Sequence, residues 1–399
     1  MRLKMPSLSR VNSFFTLSFS FVFIISFSGS VFGQQFVEPY VGVTYSSDNN
    51  FFNVADTDEA IAVTGDSDKG EEITRLYAGV EGEVPMSRQT LEYGLHVHNN
   101  TYDRFDELDN TGHEAELNLA WVAGKTLSGN LGVTSEEELA RFWELQQVAK
   151  DMRSRQVMFF NANYRFHPEW RINGGLGVSW EDYSERPRLE RRTSYTQFDV
   201  LYSTSANTRL GFGTFLAEGA YTNTNTVDDS YKAINYSIVG RWEGTAKSTL
   251  LARAGVTERQ HDELDERDLT SSSWNLEYKW RITKKTKLDF TLWQEIKDDI
   301  EISGFVKETG FSVAPKITFT PKLSTRLRLR MLTKKFEGAA VEEARDREDD
   351  VEVAQLIVNY RITPKIATNF RYTMRERDSN VDSADYSADV WSIGAEIRF

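Results

Sequence analysis

Alternation with a period of two residues constrains this chain more than any other feature. In "RINGGLGVSW", Ile172, Leu176, Val178 and Trp180 share one face, against Arg171, Asn173, Ser179 and Glu181 on the other. "SSSWNLEYKWRI" sets Trp274, Leu276, Tyr278, Trp280 and Ile282 against Asn275, Glu277, Lys279 and Arg281. "STRLRLRML" sets Leu327, Leu329 and Met331 against Arg326, Arg328 and Arg330. Successive strand side chains point to opposite faces, so each stretch reads as an amphipathic strand. No long window carries convincing helical periodicity.

Such segments begin near residues 37, 73, 90, 113, 128, 153, 170, 194, 209, 231, 248, 270, 286, 306, 324, 351, 366 and 387. There are about eighteen, each of about 10 to 14 residues, enough to cross a bilayer at a tilt. Tight turns rich in Pro, Lys, Ser, Thr and Asn follow strands ending near Tyr164, Tyr202, Arg241, Lys279, Ile317 and Tyr360. Their spacing, about 38 to 42 residues, is one hairpin plus one longer loop. The alternate connections, such as "DELDERD" and "EEARDREDDVE", are longer and acidic. The pattern predicts an all-β fold: a transmembrane antiparallel up-and-down β-barrel of about 18 strands, apolar outside and polar inside. Closure pairs every backbone group within lipid. A soluble sandwich would turn its apolar face into a core. Here the opposite face is dense in Arg, Lys and Glu throughout, and aromatics gather beside the short turns, as an interfacial girdle would.

At 40% hydrophobic and 27% charged, the composition resembles that of a soluble protein. That disguise is expected when half of each strand faces water. Arg2, Lys4 and Arg10 precede the apolar run "FFTLSFSFVFIISF", and Val31 and Gly33 suit a cleavage site before Gln34. Residues 1–33 are therefore expected to be a cleaved signal peptide and 34–399 the barrel. The net charge of −13 argues against nucleic acid as a partner. With no cysteine, the chain offers no disulfide or thiolate chemistry. No cofactor is expected.

The segment "YRITPKIATNFRYTMRERDSNVDSADYSADVWSIGAEIRF" resembles bacterial outer-membrane β-barrel proteins of the porin type associated with exopolysaccharide operons. The shared features are the "YR-x-TP" turn, an "F-x-Y" strand, an acidic "RDSN…D" loop and a last strand ending in Phe. The resemblance implies the outer membrane of a Gram-negative cell, in contact with its lipid and lipopolysaccharide. It implies partnership with the barrel-assembly machinery and with polysaccharide-export components. A terminal aromatic on the last strand is the signal that this machinery reads. Phe399, with Ile397, Ile393 and Trp391, matches that pattern.

Period two also assigns the interior. Inward cations of the second half include Lys287, Lys316, Arg326, Arg328, Arg330, Arg371, Arg375 and Arg398, against fewer acids: Glu243, Glu277, Asp289, Glu295 and Glu396. Arg326, Arg328, Arg330, Arg371 and Arg375 are the candidate pore-lining residues of an anion path, since rings of Arg and Lys line anion-passing pores. The competing expectation is a wall of Arg–Glu pairs that only stiffens the barrel. The first strand follows closely on the cleavage site, which leaves no room for a large amino-terminal plug.

His96 and His98 share a strand face, but spacing supplies no third metal ligand. No "GxSxG", "HExxH" or "GxxxxGK[ST]" motif is present, and an enzyme is not expected. The acidic clusters at 258–268 and 342–352 lack calcium-loop spacing and read as solvated loops rather than divalent-cation sites. A short helix is expected within 140–155. The functional expectation is a porin-like channel, for exopolysaccharide export or for small hydrophilic, even anionic, solutes. The alternatives are a barrel closed by its loops at 47–72, 141–152 and 336–350, with a structural or polymer-binding role, and an outer-membrane enzyme.

Overall fold

The structure is a computed structural model that describes residues 37–140, 148–205, 207–222, 228–299, 304–338 and 346–399. The signal peptide expected at 1–33 lies outside them. Eighteen strands form one antiparallel sheet in sequence order. They are β1 (Glu38–Asp48), β2 (Glu71–Met86), β3 (Gln89–Tyr102), β4 (Asn110–Ala123), β5 (Leu127–Leu139), β6 (Met152–Tyr164), β7 (Trp170–Tyr183), β8 (Arg191–Ser205) and β9 (Thr208–Tyr221). They continue as β10 (Tyr231–Thr245), β11 (Ser248–His261), β12 (Leu269–Trp280), β13 (Thr286–Asp299), β14 (Gly304–Thr318), β15 (Leu323–Gly338), β16 (Glu348–Arg361), β17 (Ile366–Ser379) and β18 (Tyr386–Arg398). β1 pairs with β18 from Tyr40↔Arg398 to Asp48↔Val390, which closes the barrel. Every strand begins within three residues of its expected start.

The apolar face is the outer one. Leu76, Phe212, Tyr236, Ile238 and Ile393 are each more than half exposed, at positions where a soluble sheet would bury them. Tyr164, Trp170, Trp242, Trp280 and Tyr360 are exposed beside the short turns, where an interfacial girdle belongs. Inward aromatics are accommodated by glycine. The Tyr77 ring lies where a side chain on Gly42 would stand, and Tyr40 does the same at Gly79, so these rings lie flat on the wall.

The short turns repeat one device. In "ITKKT", "FTPKL" and "ITPKI", the hydroxyls of Thr283, Thr320 and Thr363 accept the backbone N–H groups two and three residues on, at 2.9–3.2 Å. Hydroxyl turns of this kind fix the chain reversal locally. At the opposite mouth, Asp109, Asp268 and Asp385 each close a loop by accepting a strand-end N–H, from Tyr102, His261 and Ser379. Part of the acidity of these loops is therefore structural.

Three expectations need correction. Met152–Arg155 is not helical but opens β6, because Arg153 reaches Glu138 and Glu181 on the flanking strands. Residues 148–151 are likewise not helical, and 141–147 lie outside the described residues. The connection 49–70 carries a helix the alternation did not predict, α1 (Thr57–Thr64), capped by the Asp56 side chain and ended by Gly65 at φ 79°. The 336–350 loop is shorter than expected, since both flanks belong to β15 and β16; 339–345 lie outside the described residues.

Candidate functional site

The interior of the barrel is the only concave polar surface that the sequence anticipates, and register decides what lines it. On β15, Arg326, Arg328 and Arg330 all face inward. They stand opposite Ile357, Gln355 and Val353 of β16, which in turn face Arg371, Thr373 and Arg375 of β17. Lys287, Lys316 and Arg326 form one row across β13, β14 and β15. All five candidate arginines thus share one wall.

Their surroundings differ. Arg330 is buried, and its guanidinium donates to Glu308 at 2.9 Å; Lys297 also pairs with that carboxylate. Arg375 pairs with Asp48 at 3.1 Å across the closing seam. By contrast, Lys287, Lys316, Arg326 and Arg328 make no ion pair among the described residues. The charges of Arg328 on β15 and Arg75 on β2 both act on Arg371 of β17, so this stretch of wall is cationic. An anion beside Lys287, Lys316, Arg326 and Arg328 would meet cations that no direct ion pair among the described residues engages.

The opposite wall is acidic. Glu92, Glu114, Glu116 and Glu136 of β3, β4 and β5 face inward by the same register. β4 and β13 are nine strands apart in a ring of eighteen, half the circumference. The lumen therefore carries a transverse field, positive on β13–β17 and negative on β3–β5.

The acidic wall also carries His96 and His98, on β3, with His96 directly opposite Glu114. The Tyr40 hydroxyl lies 3.1 Å from His96 Nδ1, and the two imidazoles are 5.7 Å apart. His98 is buried, with neither ring nitrogen hydrogen-bonded. Among the described residues no three His, Asp or Glu side chains converge as a metal site.

Two elements narrow the mouth opposite the short turns. The first is the 49–70 connection. Phe52, Val54 and Ala60 pack with Tyr102, Phe105 and Leu108, and Ile73 joins them. Ile73 and Tyr102 pair across β2 and β3 on the inward face, so this connection folds over the lumen rather than away from it.

The second is the upper part of β13 and β14. β12 pairs with β13 only from Trp274↔Gln294 to Trp280↔Leu288. Beyond Gln294, β13 leaves the wall, still paired with β14 as far as Asp299↔Gly304. Ile296, Phe305 and Val306 are buried as a result. The Asp298 carboxylate accepts from Arg191 at 2.6 Å, Arg259 at 2.7 Å and Tyr231 at 3.0 Å. The Phe305 ring stacks on His261 at 5.6 Å. On the ribbon's other face, Trp293 donates to Glu308 at 2.7 Å and lies under the Arg330 guanidinium.

Two features escaped the sequence. Glu308 shares its face with Lys316, and alternation counted two residues at a time would have found it. Asp298 sits on the nominally outward face, and an acid at that register position, in line with Leu288, Phe290 and Leu292, was the signal that could have found it.

Residues 215–399 match a family model described as Putative beta-barrel porin 2. No curated protein matches the chain. The fold is similar to OpdK of Pseudomonas aeruginosa, solved with vanillate, at 11% identity and TM-score 0.48, covering 91% of this chain and 99% of that one. It is similar to the siderophore receptor PirA of Pseudomonas aeruginosa at 7% identity and TM-score 0.47, covering 91% and 80%. It is also similar to a BenF-like porin of Pseudomonas fluorescens Pf-5 at 10% identity and TM-score 0.47, covering 92% and 98%.

Proposed function

We propose that this chain, whose residues 215–399 match the Putative beta-barrel porin 2 family model, passes small anionic solutes across the outer membrane. It is a porin-like outer-membrane β-barrel, and the proposal concerns what it prefers to carry. One observation carries it: Lys287, Lys316, Arg326 and Arg328 stand on one wall without a direct ion pair among the described residues, with Asp289 the one carboxylate whose charge reaches both Lys316 and Arg328. Pore-lining guanidiniums of this kind favour anions and bind carboxylates or phosphates by their fork. Arg330 and Arg375, already paired, hold the wall in place.

Reversal potentials of the refolded barrel in planar bilayers under a salt gradient test this. The wild type should prefer anions, and the double variant Arg326→Glu, Arg328→Glu should shift toward cations. An unchanged reversal potential refutes the assignment.

A second reading, a barrel closed to free diffusion with a structural or polymer-binding role, is favoured by the apolar cluster of the 49–70 connection. Absence of any unitary conductance would select it. A part in exopolysaccharide export rests on the family resemblance of the last strands. It predicts that acidic polysaccharide fragments block the current.

A further inference from the structure

The upper β13–β14 ribbon has a second place to go. Leu269–Ser273 of β12 have no ladder partner on the β13 side among the described residues, and the Ser272 carbonyl accepts from side chains instead, Gln294 at 2.7 Å and the Ser271 hydroxyl at 3.3 Å. Continuing the observed register past Trp274↔Gln294 would pair Ser273 with Glu295, Ser272 with Ile296, Ser271 with Lys297 and Thr270 with Asp298. The alternation permits it. Glu295 and Lys297 would still face the lumen, while Ile296 and Asp298 would face outward, near the mouth, beside Ser272 and Thr270. An unpaired strand edge is a template for pairing, and β13 stays extended and paired with β14 through the point where the ladder to β12 stops.

We propose that this ribbon is a constriction with two seats: docked on the inner faces of β8, β10 and β11, as observed, or zipped onto β12 within the wall. The docked seat is held by Asp298 against Arg191, Arg259 and Tyr231, and by Phe305 against His261. Asp298 is the positioning residue, since its charge is satisfied fully only in the docked seat. Zipping widens the passage and buries the exposed β12 edge. The ladder stays intact from Trp274 to Trp280, so the barrel remains closed at the short-turn end in both seats. The consequence for solute passage rests on the channel reading above; the two seats do not.

The chain has no native cysteine, so engineered pairs report cleanly. His261→Cys with Phe305→Cys reports the docked seat, and Ser272→Cys with Ile296→Cys the zipped one. Refolded, heat-modifiable protein should oxidise in both pairs. Adding Asp298→Asn to the second pair should speed its oxidation roughly tenfold or more, the effect of losing charge-assisted hydrogen bonds. Reducing the docked disulfide should raise unitary conductance. No oxidation of the Ser272–Ile296 pair, with or without Asp298→Asn, overturns the proposal. So does an oxidation rate that Asp298→Asn leaves unchanged. Oxidation of both pairs with no conductance in any state supports the two seats and overturns the channel reading instead.

Discussion

Three arginines on one strand face do different work. Arg330 is sandwiched between Glu308 and the Trp293 ring, and its removal leaves that buried carboxylate without one of the two cations, Arg330 and Lys297, that pair with it. Arg330→Ala should cost about 2–4 kcal/mol in urea-driven unfolding from detergent, because breaking a buried pair strands a charge. Arg328 has no such partner. Arg328→Ala should leave stability within about 0.5 kcal/mol yet reduce anion preference in bilayer recordings. If the two variants showed equal stability, the distinction drawn between them would fail. Longer reach and a planar fork make Arg suited to both roles, so residue type alone does not separate them.

Single elements carry the next level of organisation. The last strand sets Ile393 and Ile397 outward and ends on Phe399, whose N–H donates to Pro39 across the closing seam at 3.0 Å. Phe399 is 55% exposed, so deleting it removes little packing. The expected outcome is impaired outer-membrane assembly with near-normal stability of barrel refolded in detergent. Normal insertion and heat-modifiable mobility of the deletion in cells would count against an assembly role. The 49–70 connection owes its fold to a different interaction, an apolar cluster with Phe52 at its centre. Phe52→Ala should destabilise that element by about 3–4 kcal/mol. Limited proteolysis should then cut within 55–70 while the barrel band stays heat-modifiable; resistance equal to wild type would show that the cluster does not hold the connection.

Across the whole molecule, charge is segregated by circumference rather than by depth. Cations on β13–β17 oppose Glu92, Glu114, Glu116 and Glu136 on β3–β5. In a confined, low-dielectric-walled space such a field orients dipolar solutes and sets selectivity by the difference between walls. Glu114→Gln with Glu116→Gln should therefore increase anion preference, although neither residue touches the arginines. A shift toward cations, read from the reversal potential, would sink the two-wall account.

Strand number, strand starts, the outward face and the inward arginines were all legible along the chain. Each follows from period-two alternation and from turns such as "ITPKI", whose hydroxyl cap acts within three residues. These are local causes, and a local pattern records them. The helix α1 left little trace, being only eight residues long and held by contacts with distant β3. The departure of β13 from the wall left only a faint one. Its apolar face switches at Trp293 and Gln294, where the ladder to β12 ends. What draws it inward is a carboxylate at 298 meeting a guanidinium at 191, 107 residues away. The sequence by itself determined that the chain closes into a barrel and which side chains face water, because both depend on a two-residue period. Tertiary structure alone decided which of those arginines are already neutralised and how far the lumen is open, because both depend on which distant charges meet.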